Sequence, residues 1–192
     1  MKLYLIRHGE SEANATRSFA GWAPVPLTEK GEEDARLAGE LIRSLSFDKV
    51  FSSDILRTVQ TCRLAMPDAE AEQTPLIREY DVGNLVGRSI EEFMKDPAIA
   101  ANRKVNNFVP YGGEDYEAVM ARVTEFMQRL EQSDYENVLA FSHAGAIKNM
   151  IDHTVGVRLP FGAVAVENGA VTVLEFKNGR WMLAALNQKK EL

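Results

Sequence analysis

The chain has 192 residues, of which 45% are apolar and 26% charged, with a formal net charge of −6 and one cysteine. That balance supports a packed core and excludes a disordered chain, while a lone Cys62 excludes an internal disulfide framework. The absence of any apolar run near the roughly 18 residues that cross a bilayer, and of any basic cluster, argues against membrane and nucleic-acid partners.

These limits set expectations. One domain over residues 1–192 is expected, in a reducing cytoplasm. The amino terminus does not read as a secretory signal, because charge interrupts its apolar run at Arg7. An acidic protein that handles anions must gather its cations in a pocket rather than on a face. Oligomeric state is not legible.

Leu3 to Ile6 is a short apolar run that suits a strand buried on both faces. It leads directly into Arg7-His8-Gly9, at the strand end where open α/β sheets bind ligands. Gly9 would let the backbone approach a ligand closely. Alone, these residues fit a polar turn equally well.

Glu10 to Ala23 reads as an irregular loop. Thr28 is a good N-cap, and apolar residues from Ala35 to Leu45 at helical spacing predict a helix over about Glu29–Leu45. Lys49–Ser52 predicts a second strand, with Ser53 or Asp54 capping the helix that follows and ends at Pro67. Arg57 falls in that helix's first turn, near the same sheet edge as His8. The bland reading of Arg57 is a solvated surface residue, and that of Cys62 a small core residue.

A short strand and loop are expected over Ala69–Leu76, then an irregular acidic stretch over Ile77–Asn84. Ser89 should cap a short helix through about Met94. Asp96–Gly113, rich in Asn, Pro and Gly, reads as mostly loop and as a lid candidate. Glu114-Asp115 opens the strongest helix, whose face from Tyr116 to Leu130 is core filling.

Asn137–Ser142 is another buried strand, and it delivers His143-Ala144-Gly145 as the first strand delivers His8. A helix from about Ala146 to Val155 follows, with His153 as a cap in its last turn. Ala170–Phe176 and Trp181–Leu186 alternate like strands around the hairpin signal Asn178-Gly179. The fold class expected is α/β, a three-layer α/β/α sandwich on a mainly parallel sheet with an antiparallel strand near the C-terminus.

Two histidines at strand ends, with Arg7 and Arg57 beside them, suit a phosphoryl group. A guanidinium fork binds it bidentately. A neutral imidazole attacks phosphorus through one nitrogen while a hydrogen bond to the other fixes the tautomer. The second histidine can stabilise charge on the equatorial oxygens. A carboxylate is then required to protonate the leaving oxygen and to activate water.

Leu5-Ile6-Arg7-His8-Gly9-Glu10-Ser11 resembles the signature of the histidine phosphatase superfamily, the phosphoglycerate mutase-like proteins. The resemblance continues through Asn14, Gly21-Trp22, Pro26–Gly31, Ser52–Thr61, Glu79–Gly83, Gly112-Gly113-Glu114 and Ser142–Gly145, in family order. It implies His8 as the nucleophile that becomes phosphohistidine. Arg7, Arg57 and His143 would hold the phosphoryl group, and Glu79 would act as general acid and then base. Gly9, Asn14, Gly21 and Ala144 would lie on the substrate side. No cofactor and no metal are implied, and the expected partner is a small phosphorylated metabolite.

Departures from the mutase pattern narrow the activity. Ala20 stands where the glycolytic mutases carry a hydroxyl residue before glycine, and their basic lid has no counterpart between Tyr80 and Gly112. Asn84–Gly87 lacks an acidic residue often found before that glycine. A metal-independent phosphomonoesterase is therefore the first reading, and a cofactor-dependent mutase the second. A non-catalytic phosphate or phosphopeptide binding module is a third. A metal hydrolase using His8, His143 and Glu79 ranks last, because two arginines would repel the cation.

Overall fold

A computed structural model describes residues 1–189. Its sheet has the order β3-β2-β4-β1-β5-β6. The strands are β1 (Lys2–Arg7), β2 (Lys49–Ser53), β3 (Glu72–Thr74), β4 (Asn137–Ser142), β5 (Val171–Lys177) and β6 (Arg180–Gln188). The first four pair in parallel, and β5 and β6 add an antiparallel pair at one edge. Asn178 and Gly179 turn that hairpin, both at positive φ (53° and 74°), as a two-residue primed turn requires.

The helices are α1 (Glu12–Ala15), α2 (Glu29–Ile42), α3 (Leu56–Ala65), α4 (Ile90–Phe93), α5 (Pro97–Lys104), α6 (Tyr116–Glu131) and α7 (Ala144–Val155). They cover both faces of the sheet, and the alternation along β1 shows why. Leu3 and Leu5 pack on one side with Val123, Phe126 and Ile147 of α6 and α7. Tyr4 and Ile6 pack on the other with Ala38, Ile42 and Cys62 of α2 and α3. Each fully buried Leu or Ile contributes roughly 1.5–3 kcal/mol. Among the described residues, no helix is long and apolar enough to cross a membrane.

Several expectations need correction. Glu10–Ala23 is not wholly irregular, because Ser11 and Asn14 form a reciprocal capping box around the single turn of α1. α2 ends at Ile42, three residues short, although Leu45 still packs against its core cluster. Neither Ser53 nor Asp54 caps α3. The N-cap is Ile55, which makes no side-chain cap bond, because Asp54 pairs with Arg78 and Ser53 faces His143. α5 lies inside the stretch read as loop, with Asp96 accepting from the Ala98 amide at 2.8 Å and Pro97 in the first turn. α7 begins at Ala144, so His143 itself is its N-cap.

Candidate active site

The register of β1 on β4 pairs Arg7 with Ser142. The next residues, His8 and His143, therefore emerge side by side at the C-terminal edge of the sheet, with ring centroids 5.2 Å apart. The His8 amide donates to Ser142 O at 3.0 Å and anchors the end of β1 to β4.

His8 Nδ1 is 2.7 Å from Gly9 O, so the ring donates its proton there. Nε2 is thereby left as the lone-pair nitrogen, and it accepts from Arg57 Nε at 3.1 Å. Burial, then the charges of Arg57 and Arg7, hold the His8 pKa well below 6.5 against the opposing Gly9 hydrogen bond. A neutral, oriented imidazole results. Gly9 serves this geometry by packing rather than by ligand approach: a Cβ there would meet Gly31 O at 2.0 Å.

Arg57 is essentially buried, because α3 starts immediately after the loop leaving β2. Its Nη2 donates to Gly21 O at 3.0 Å and its Nη1 to Ala23 O at 3.4 Å. Burial lowers its pKa to about 10, so the guanidinium remains charged at neutral pH. Arg7 donates through Nη1 to Val166 O at 2.6 Å, while its buried Nε has no partner.

His143 has no solvent exposure. Its Nε2 is 2.9 Å from Ser53 Oγ and 3.4 Å from Thr58 Oγ1. Ser53 Oγ accepts from the Ile55 amide and Thr58 Oγ1 donates to Ile55 O, so the start of α3 orients both hydroxyls that face His143 Nε2. Nδ1 is buried without a partner. Burial, followed by Arg57, lowers the pKa of this ring well below 6.5. Arg7 Nε and His143 Nδ1 are thus two buried nitrogens without a partner, one beside His8 in the chain and one on the ring stacked edge-on to it. Each costs roughly 1–3 kcal/mol while unmet, and an anion would relieve both.

Glu79 comes from an irregular segment, yet it is held firmly. Oε1 accepts from the Tyr80 amide at 3.0 Å, and Oε2 from the Gly145 amide at 3.1 Å in the first turn of α7. Gly145 is needed for that approach, since a Cβ there would lie 2.0 Å from Glu79 Oε1. The Glu79 carbonyl accepts from Trp22 Nε1 at 2.7 Å and from Arg122 Nη2 at 3.0 Å. Arg122 also donates to the carbonyls of Leu76 and Arg78 and forks onto Glu114, whose Oε2 accepts from the Asp81 amide.

A cavity of about 270 Å³ opens on these groups, with Arg7, His8, Asn14, Gly21, Arg57 and Glu79 in its wall. His143, Gly9 and Ala144 are not part of that wall; His143 is fully buried beside His8, and the amide beside Glu79 is that of Gly145 rather than Ala144. Asn14 Oδ1 is saturated by Ser11 N, Ser11 Oγ and Asn168 Nδ2. Ala20 also lines the cavity, as do Arg103, Asn106 and Phe108 from the stretch read as a lid.

Sequence reasoning missed Arg122, Asn168 and Lys148. Arg122 is on the polar side of a helix read only for its apolar stripe. Asn168, which holds His8 O at 2.9 Å, comes from a loop with no period. Lys148 does carry a signal, a cation one helical turn beyond Gly145 in the strand–His–helix pattern.

Residues 3–189 match the family described as histidine phosphatase superfamily (branch 1). The adenosylcobalamin/alpha-ribazole phosphatase of Salmonella typhimurium is 32% identical, over 98% of this chain and 97% of that protein. A 2,3-bisphosphoglycerate-dependent phosphoglycerate mutase of Rhizobium etli is 37% identical over 65% of each chain. Among solved structures, the alpha-ribazole phosphatase from Shigella flexneri superposes with a TM-score of 0.87 at 30% identity, covering 100% of this chain and 98% of that one.

Proposed function

The chain belongs to the histidine phosphatase superfamily (branch 1), and from that premise we propose that it hydrolyses a small phosphomonoester through a phosphohistidine on His8. The observation that carries this reading is the 2.7 Å contact of His8 Nδ1 with Gly9 O, which assigns the proton to Nδ1 and leaves Nε2 the basic nitrogen of a residue that lines the cavity.

The chemistry balances on this chain's own groups. The phosphoryl group takes the donors of Arg57, Arg7 Nε and His143 Nδ1. His8 Nε2 forms a bond to phosphorus while the bond to the leaving oxygen breaks. Glu79, protonated, gives that oxygen its proton. The Gly9 carbonyl steadies the charge that the imidazole gains. Glu79, now a carboxylate, takes a proton from water as the water oxygen attacks phosphorus. Inorganic phosphate departs and neutral His8 returns.

Alpha-ribazole 5′-phosphate and phosphoglycerate, suggested by the names of similar proteins, are the first substrates to assay. A mutase would instead hand the phosphoryl group to a second hydroxyl. Ala20 in the wall removes one hydroxyl partner that would hold such a substrate, which favours water. The test supplies monophosphoglycerate with catalytic bisphosphoglycerate and follows free phosphate and isomer interconversion together. Phosphate release without need of a primer is expected. Rapid primer-dependent interconversion with negligible phosphate release would make the protein a mutase.

A further inference from the structure

Two cations of the cavity wall play no part in the phosphoryl site. Lys148 lies on α7 three residues beyond Gly145, whose amide holds Glu79, so both use the same helix face. Arg103, in the last turn of α5, contributes a second cation to the wall. Both are half-buried. Among the described residues neither forms a salt bridge, and Lys148 makes no hydrogen bond. Arg103 has only a 3.9 Å contact from Nη1 to Met94 Sδ and a place 5.5 Å from the ring centre of Phe161.

The nearby carboxylates are already engaged. Glu79 accepts from the Tyr80 and Gly145 amides. Asp152 accepts from Tyr116 Oη and from the Leu159 amide, each at 3.1 Å. Burial lowers the Lys148 pKa, with Glu79 opposing, Arg7 and Arg103 adding to the fall, and Asp152 opposing. Burial lowers that of Arg103 as well. Two half-buried cations in one cavity wall that touch no counterion favour an anion in that cavity.

We propose that Lys148 and Arg103 form a second anion subsite, which binds a carboxylate or phosphate carried by the leaving alcohol of the substrate. The proposal rests on the phosphatase reading, in which Glu79 protonates the leaving oxygen. The leaving group then lies on the Glu79 side of His8, and Lys148 shares that side through Gly145. The cavity, about 270 Å³, is at the small end for ligand sites. A compact substrate with a second anionic group satisfies both the volume and the charge. A neutral leaving group would leave both cations unpaired.

The test uses two ligand pairs whose members differ by one anionic group. 3-Phosphoglycerate and glycerol 3-phosphate differ by a carboxylate against a hydroxymethyl group, and propane-1,3-diol bisphosphate and its monophosphate supply the phosphate arm. Binding is measured by calorimetry on His8→Ala protein, and again as inhibition of p-nitrophenyl phosphate turnover by the unaltered chain. In at least one pair the anionic member should bind about tenfold tighter or more, the worth of one charge-assisted contact. Lys148→Met or Arg103→Met should bring that ratio close to unity. Equal binding within both pairs would overturn the subsite, as would a Lys148→Met loss that is the same for both members of a pair. Turnover of p-nitrophenyl phosphate tests the phosphatase reading separately: turnover with no charge preference keeps that reading and removes the subsite.

Discussion

Arg57 Nε donates to His8 Nε2 at 3.1 Å, so the guanidinium sits on the lone pair that the proposed reaction would turn on phosphorus. A phosphoryl group must draw that donor from the nitrogen to its own oxygens before the bond to His8 can form. The carbonyls of Gly21 and Ala23 hold the two Nη atoms of the same guanidinium in place.

Arg57→Lys tests this relationship. A lysine keeps the charge but cannot span His8, Gly21 and Ala23 with one planar fork. kcat/KM should fall by roughly 10²–10³-fold, the scale of losing one preorganised donor. A fall of less than about threefold would remove Arg57 from the phosphoryl site.

Stability should depend on pH through the two histidines. Both are neutral in the folded state with pKa values held well below 6.5, mainly by burial. Their unfolded forms take up protons near pH 6.5. The unfolded chain thus binds more protons below that pH, and stability falls as pH drops from about 6.5 towards 5. Carboxylates such as Asp54, held low chiefly by the Arg78 hydrogen bond, add their loss only at lower pH. Melting temperature should decline over that window, and His143→Gln should flatten the decline. A flat profile in the parent chain would contradict the buried neutral pair.

The expected metal independence follows from the proposed phosphoryl site, in which Arg7, Arg57 and His143 would meet the phosphoryl charge. Turnover should persist in excess chelator. Loss of activity restored by one particular cation would favour the metal hydrolase instead.

Arg122 should act on Glu79 without touching substrate. It ties three carbonyls of the 76–79 segment and the Glu114 carboxylate together. Arg122→Met should lower kcat for alkyl phosphates by up to about a hundredfold, the cost of roughly 1 Å of misplacement. Glu79→Gln should cost roughly 10²–10⁴-fold, and the two losses should not add. Aryl esters, which need little proton donation, should suffer less in the phosphorylation step. Equal damage across leaving groups would mean that Arg122 serves stability alone.

What could be read beforehand follows from local pattern. His8 and His143 were legible because each ends a buried apolar strand, and in-register pairing of those strands brings the rings together. Arg57 was placed by the strand-to-helix turn. Glu79 was not, because its segment has no period and is held by long-range bonds from Trp22, Arg122 and Gly145. The caps expected at Ser53 and Asp54 failed because both side chains have stronger partners across the fold, His143 and Arg78. α5 is hidden in sequence by the Asn and Pro residues around it, although Asp96-Pro97 is a regular helix start.

The covalent intermediate tests the central claim most directly. The chain is mixed briefly with a radiolabelled phosphoester, denatured rapidly, and digested to locate the label. An acid-labile, base-stable label on His8 is expected, absent from His8→Ala along with nearly all turnover. A His8→Ala protein that turns over normally, or a label on another residue, would contradict it.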